Sequence, residues 1–336
     1  MSEAEQPKKK IAILAAGSYM AGPIAHHLHK NGGYVIVAIV RESTDTNAIQ
    51  DFTDDIRRGD LSDLEFMKSA TKGCFAIVNF LNQLMPPKET IKEQLENDLP
   101  PIQCALQAAL EHDCIFVHTS GNFSIPTAGK DSIDGGIIKA ELPDKPVGAD
   151  LLDVESWSTF QHEGGMVAVS TLAEAKHRQD HAIQDFVKEN PSSKARVIIP
   201  AGVYGPSVGT KFSFWDLAAH LYLIGQFGDF GHAFIHINDA CVVYQAVIEQ
   251  GEAGCRYPMY GESMTVRTFV EKYAKICSVA MNEDGPVCSE EESKRVYDDS
   301  ETREKFGIDY KYTIDNSLSD TIENLKERNL LMVKEV

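Results

Sequence analysis

Two features near the start of the chain have the spacing to hold a phosphorylated ligand. The turn Gly17-Ser18-Tyr19-Met20-Ala21-Gly22 lies between an apolar run, Ile11 to Ala15, and a helix-like segment, Pro23 to Lys30. A helix N-terminus offers unpaired backbone N–H groups and the positive end of the helix dipole, so a diphosphate sits there well when the side chains are small. Gly17 and Gly22 give that room and Tyr19 does not. Arg41 ends the next apolar run, Tyr34 to Val40. An acid at such a strand end suits a ribose 2′-hydroxyl, whereas arginine suits a 2′-phosphate. The arginine therefore predicts NADP(H) in preference to NAD(H). Asp60 and Leu61, read as the end of a third strand, are placed to flank the adenine.

Other candidate groups carry weaker signals. His177 and His181 stand one helical turn apart, a spacing that suits a metal, but no further ligand spacing accompanies them. They read as solvated helix histidines, and no metal site is expected. Phe212, Phe214, Trp215 and Tyr222 either line a pocket for an apolar or aromatic substrate or fill an ordinary core. The seven cysteines are scattered, with no Cys-x-x-Cys pair, as expected of reduced thiols in a cytoplasmic protein. A formal net charge of −18 argues against nucleic acid as a partner. No apolar run is long enough to span a bilayer, and the polar N-terminus has no signal core.

The elements that must position these groups follow from the hydrophobic pattern. Buried strands are predicted at Ile11–Ala15, Tyr34–Val40, Phe75–Phe80, Cys114–His118 and Ala195–Pro200, with helices at Leu64–Thr71, Leu95–Glu111 and Ala173–Lys188. A short strand over Ala233–Ile237, a helix capped by Asn238-Asp239, and helices over Thr265–Ala280 and Leu318–Leu331 complete the pattern. Alternating strands and helices predict an α/β fold, a Rossmann-type doubly wound parallel sheet. The alternation weakens after Pro200, which predicts a smaller mixed C-terminal substrate lobe. The expected division is a tail over residues 1–10 and a dinucleotide-binding domain over 11–205. Within it, 124–163 is an irregular insertion near the substrate site. A substrate lobe over 206–336 follows, with 233–250 returning to the core.

In combination, these segments resemble the extended short-chain dehydrogenase/reductases, within the wider epimerase/dehydratase superfamily. The group most similar is that of the dihydroflavonol and cinnamoyl-CoA reductases. The resemblance rests on Gly33-Tyr34-Val35 through Arg41, Gly59-Asp60-Leu61, Gly73-Cys74 and Pro200-Ala201-Gly202-Val203-Tyr204-Gly205-Pro206. It continues through Phe234-Ile235-His236-Ile237-Asn238-Asp239-Ala240, Gly254 to Tyr257 and Lys305-Phe306-Gly307. It implies that Gly17, Ser18, Tyr19, Met20, Gly22, Arg41, Asp60, Leu61, Leu81, Lys176, Pro200 and Val203 contact the cofactor, the last two beside the nicotinamide.

The departures from the family pattern concern its chemistry. Its Gly-x-x-Gly-x-x-Gly turn, aligned on Gly22, becomes Ala16, Tyr19, Gly22. Its Tyr-x-x-x-Lys pair becomes Leu172 and Lys176, so the proton-donating tyrosine is missing. Aligning Val167-Ala168-Val169-Ser170 on the same motif puts Val167 at that position and again supplies no tyrosine. The family's second serine after the fifth strand falls on Gly121, leaving Ser120, Asn122 or Ser124 as substitutes. His162, at the end of the insertion, is a candidate replacement acid. The resemblance thus implies a small-molecule, NADP(H)-dependent reductase of a carbonyl or enone compound, with Lys176, Ser120 and His162 as candidate catalytic residues. A non-redox isomerase, lyase or cyclase and an NADP(H)-sensing protein without turnover stand as alternatives.

Overall fold

A computed structural model describes residues 8–53, 55–81, 91–124, 132–134, 138–139, 167–208 and 213–332. The first half alternates strand and helix: β1 (Lys10–Leu14), α1 (Ala21–Lys30), β2 (Val35–Val40), β3 (Ile56–Arg58), α2 (Leu64–Thr71), β4 (Ala76–Asn79), α3 (Ile91–Glu111) and β5 (Ile115–Thr119). After the short strands β6 (Ser132–Asp134) and β7 (Ile138–Lys139) come α4 (Val167–Glu189), β8 (Lys194–Pro200) and β9 (Gly202–Tyr204). The rest comprises α5 (Phe214–Leu223), β10 (Gly231–His236), α6 (Ile237–Gln250), β11 (Cys255–Met259), β12 (Glu262–Thr265), α7 (Val266–Cys277), α8 (Glu290–Ser293), β13 (Val296–Asp298), α9 (Ser300–Phe306) and α10 (Ile314–Glu327).

The main sheet runs β3-β2-β1-β4-β5-β8-β11 in parallel, with β7 antiparallel on β11 at the edge. Strands β1, β2, β4 and β5 are almost wholly apolar and buried, because helices cover both faces of the sheet. The chain moves outward from β1 to β2 and β3, then crosses back to β4 on the other side. That reversal opens a crevice beyond the carboxyl ends of β1 and β4, where ligands bind in such folds. The doubly wound sheet and the smaller mixed lobe are therefore as the sequence predicts.

A three-stranded sheet, β12-β10-β9, and the aromatic core around Trp215, Phe234, Phe269 and Tyr273 form the second lobe. The segment 233–250 divides between the two units. Its strand lies in the small sheet, while α6 packs back on α1 beneath the main one. Local chemistry sets several boundaries. Asp63 caps α2 by accepting from the Glu65 and Phe66 N–H groups. The His236 ring, not Asn238 or Asp239, caps α6 by accepting from the Asn238 N–H. Thr313 and Asn316 form a capping box that starts α10 four residues before the predicted Leu318. The third strand ends at Arg58, so Asp60 and Leu61 belong to the turn that follows it.

Candidate active site

The turn after β1 is held in an unusual backbone conformation. Ala15 takes a left-handed φ of 58°, and its carbonyl accepts from the Ser18 N–H at 2.8 Å. A residue with a Cβ pays a steric penalty there that glycine avoids. Met20, the N-cap of α1, provides no side-chain cap, and the helix has no acid in its first turn, so no carboxylate of that turn opposes an anion at its N-terminus. Gly17 faces the loop after β2, where a Cβ would lie 3.3 Å from Thr44. Gly22 faces Val208 so closely that a Cβ would meet its methyl at 2.2 Å. Ser18 and Met20 are half-buried beside them.

Tyr19 reaches out of this turn to the second lobe. Its phenol donates to the Gly205 carbonyl at 2.6 Å, across 186 residues of sequence. Burial and the nearby Asp216 push the phenol well above its ordinary pKa, so it stays protonated and remains a donor. Gly205, at φ 148°, sits against Ile237, where any Cβ would clash. The loop that carries Gly205 is itself anchored. Arg328 donates to the Ser207 carbonyl at 3.0 Å and hydroxyl at 2.9 Å, and to Asn324 at 2.8 Å.

Arg41 is exposed at the carboxyl end of β2, as its position predicts. Beside it, Arg58 donates to the carbonyls of Glu42 at 2.9 Å and Thr44 at 2.8 Å, bracing the loop that flanks Gly17. Asp60 is exposed and accepts from the Ser62 N–H; Leu61 is buried. Leu81 follows β4 at the crevice and donates its N–H to Asn79. Pro200 ends β8, and Val203 is buried on β9, where its carbonyl accepts from Ser213.

Lys176 lies on α4 one turn after Leu172 and is almost fully buried. Its ammonium donates to the Thr119 carbonyl at 2.8 Å, at the carboxyl end of β5. Burial lowers its pKa from 10.5 to about 8 against the pull of Asp98 and Asp180. Ser120, the next residue along, is turned into the protein. Its hydroxyl donates to Asp180 at 2.9 Å and accepts from the Ser124 hydroxyl at 3.1 Å. Asp180 also takes a 2.8 Å bond from Arg256, which donates to Ser124 as well. His162 lies outside the described residues.

The sheet register assembles this buried polar layer. Leu14, Asn79, His118, Val197 and Arg256 are neighbours in one row across β1, β4, β5, β8 and β11. Asn79 donates to His118 Nδ1 at 3.0 Å. His118 Nε2 stands 4.0 Å from Asp180, too far for a direct bond. Burial, then Lys176, hold the His118 ring well below its usual pKa and therefore neutral. His177 is buried rather than solvated, with its Nε2 3.1 Å from that of His181. Trp215 and Tyr222 are buried in the second lobe's core, and Phe214 is half-buried beside them; Phe212 lies outside the described residues.

Three groups were not singled out in the sequence: Arg256 completes the layer, His232 meets Asn122 across the lobes, and Asp216 is buried within the second lobe. Arg256 is a lone charge in an apolar strand, and that anomaly was its available signal. His232 on β10 accepts from Asn122, just after β5, at 3.2 Å, and its ring lies tilted by 41° against Trp215 at 4.4 Å. Burial drops its pKa to about 3. Asp216 accepts from Tyr204 and, at 2.8 Å, from the Ser213 N–H; burial raises its pKa to about 6. A surface cleft of about 790 Å3, lined by His27, Gln245, Glu249 and Tyr312, shares no residue with these clusters.

No family model matches the chain. Dihydroflavonol 4-reductase of Arabidopsis thaliana is 22% identical over 353 aligned positions, covering 97% of this chain and 85% of that protein. Vestitone reductase from alfalfa superposes with a TM-score of 0.71 at 18% identity, over 96% of this chain and 100% of that one. The yeast methylglyoxal/isovaleraldehyde reductase solved with NADPH gives 0.71 at 13% identity, over 96% and 99%. These likenesses show a shared fold over nearly the whole chain. Among the described residues no helix is long and apolar enough to cross a membrane.

Proposed function

We propose that the chain is an NADP(H)-dependent, reductase-like enzyme acting on a small carbonyl or enone compound, and that it works without the tyrosine proton donor usual on this scaffold. The observation that carries this reading is Lys176, whose ammonium is held at the carboxyl end of β5, next to β4 and its crevice. A lysine with a pKa of about 8 holds a proton at neutral pH and releases it readily, which suits it to general-acid work.

The fit of the cofactor is uneven. The uncapped α1 N-terminus and Arg41 suit the adenosine and phosphate end of NADP(H). The Tyr19–Gly205 bond stands between that turn and the loop beside the expected nicotinamide position. When bound, the nicotinamide would supply a hydride. The chain's own contributions are an anion site at α1, a proton held at Lys176 Nζ, and a neutral His118–Asn79 pair behind it. A second reading, a non-redox isomerase, lyase or cyclase or an NADP(H) sensor, draws support from Leu172 at the family's tyrosine position and from the Tyr19 bond.

Calorimetric titration with NADPH and NADH, followed by a panel of carbonyl and enone compounds, tests both readings. The first expects NADPH to bind more tightly than NADH and to be oxidised by at least one compound. Absence of NADPH binding overturns it, and binding without oxidation across the panel favours the second.

A further inference from the structure

Among the described residues, Tyr19 is the one side chain of the phosphate turn with a hydrogen bond to the second lobe, and its partner is held from two sides. The Gly205 loop is fixed by Arg328 and Asn324 on one side and pressed against Ile237 on the other. Gly22 and Val208 close the same seam one helical turn along. The other flank of the turn, toward Thr44, Arg41 and Arg58, carries no such bridge among the described residues: a Cβ added at Gly17 would lie 3.3 Å from Thr44, and Arg41 is exposed. A dinucleotide lying across the crevice must extend from the α1 N-terminus past both of these flanks. The phenol bridges the flank toward Gly205 and leaves the flank toward Thr44 and Arg41 unbridged among the described residues.

We propose that Tyr19 is a specificity-determining gate that divides the crevice. With the Tyr19–Gly205 bond made, the turn accepts the adenosine-phosphate half of a dinucleotide, and the second nucleotide enters only when the phenol leaves Gly205. The inference rests on the NADP(H) reading above and deepens it. Its consequence is that this site ranks ligands by their adenosine bisphosphate portion, to which the nicotinamide half adds little. The bond that must break is neutral, short and half-buried, and its loss is worth about a factor of ten at most in binding.

The test titrates full-length protein, and the Tyr19→Phe and Tyr19→Gly variants, with adenosine 2′,5′-bisphosphate and with NADPH by calorimetry. Unfolding midpoints are recorded to confirm that each variant is folded. The wild type is expected to bind the two ligands within about threefold of one another. In Tyr19→Gly, NADPH affinity is expected to rise about tenfold while bisphosphate affinity holds within about twofold. Tyr19→Phe, which keeps the ring and loses the hydrogen bond, should fall between them. If wild type binds NADPH about a hundredfold more tightly than the bisphosphate and neither variant changes that ratio, the gate is overturned while the cofactor reading stands. If neither ligand binds to any of the three proteins, the cofactor reading fails and the gate with it. Should Tyr19→Gly be unfolded, Tyr19→Phe alone decides: an unchanged NADPH-to-bisphosphate ratio rejects the gate.

Discussion

Arg256 and Asp180 meet at 2.8 Å with neither side chain exposed to solvent. The pair joins the seventh parallel strand to α4, directly behind Ser120. Desolvating two charges is costly, and removing one partner leaves the other stranded. Arg256→Ala is therefore expected to destabilise the protein by about 3–5 kcal/mol. The double replacement Arg256→Met with Asp180→Leu should cost less than the single one, because it removes both buried charges. Urea unfolding of the two variants checks this; a double variant less stable than Arg256→Ala would show that the pair is net stabilising.

Lys176 has a lower pKa in the fold, about 8, than the 10.5 of its free side chain. Between those values the unfolded chain binds more protons than the native one, so this group makes stability rise with pH across the window. The native penalty is fully present below pH 8 and is relieved as the pH approaches 10.5. Lys176→Met has no such titration. The stability of wild type relative to Lys176→Met should improve by about 3 kcal/mol from pH 8 to pH 10.5. A flat difference from urea unfolding across this range would contradict the buried, weakly protonated lysine.

Asp216 shifts the other way, from 3.8 to about 6, because burial disfavours its carboxylate. Between those values the native state holds the extra proton. Stability gained from this group is complete below pH 3.8 and is lost as the pH rises to 6. The loss caused by Asp216→Asn should accordingly be larger near pH 4 than at pH 7, by about 2 kcal/mol. Paired denaturation series at the two pH values measure it, and an effect larger at pH 7 would refute the assignment.

Leu172 precedes Lys176 by one turn of α4. A positioned proton donor commonly contributes about 10²–10⁴-fold in rate. Leu172→Tyr is expected to raise carbonyl-dependent NADPH oxidation by at least about tenfold within that range. A variant that folds, binds NADPH and gains nothing would place residue 172 away from the reacting carbonyl.

Strands β1, β2, β4, β5 and β8 were legible because each is a largely apolar run, and their parallel order follows from the helices between them; β3, with two arginines in three residues, and β12, Glu262–Thr265, carry no such run. The glycine turn and Arg41 were legible because their chemistry is local to a few residues. Contacts between distant segments were not. Tyr19 could be seen to crowd the turn, but nothing in its neighbourhood marked Gly205 as its partner. Asn79, His118 and Arg256 sit singly in apolar strands, and only the sheet register sets them in one row. Ser120 was visible as a hydroxyl after β5, whereas its orientation toward Asp180 depends on Arg256 some 132 residues beyond Ser124. His232 escaped notice because its role comes from Asn122 across the lobe boundary.

The central claim is that this scaffold still carries hydride from NADPH to a carbonyl or enone carbon. Incubating the protein with NADPH deuterated at the transferable position of the nicotinamide, together with the carbonyl and enone panel, tests it most directly by mass spectrometry. The account predicts a reduced product carrying one deuterium from at least one compound, with the yield falling in Lys176→Met. Bound NADPH with no deuterium in any product would contradict it.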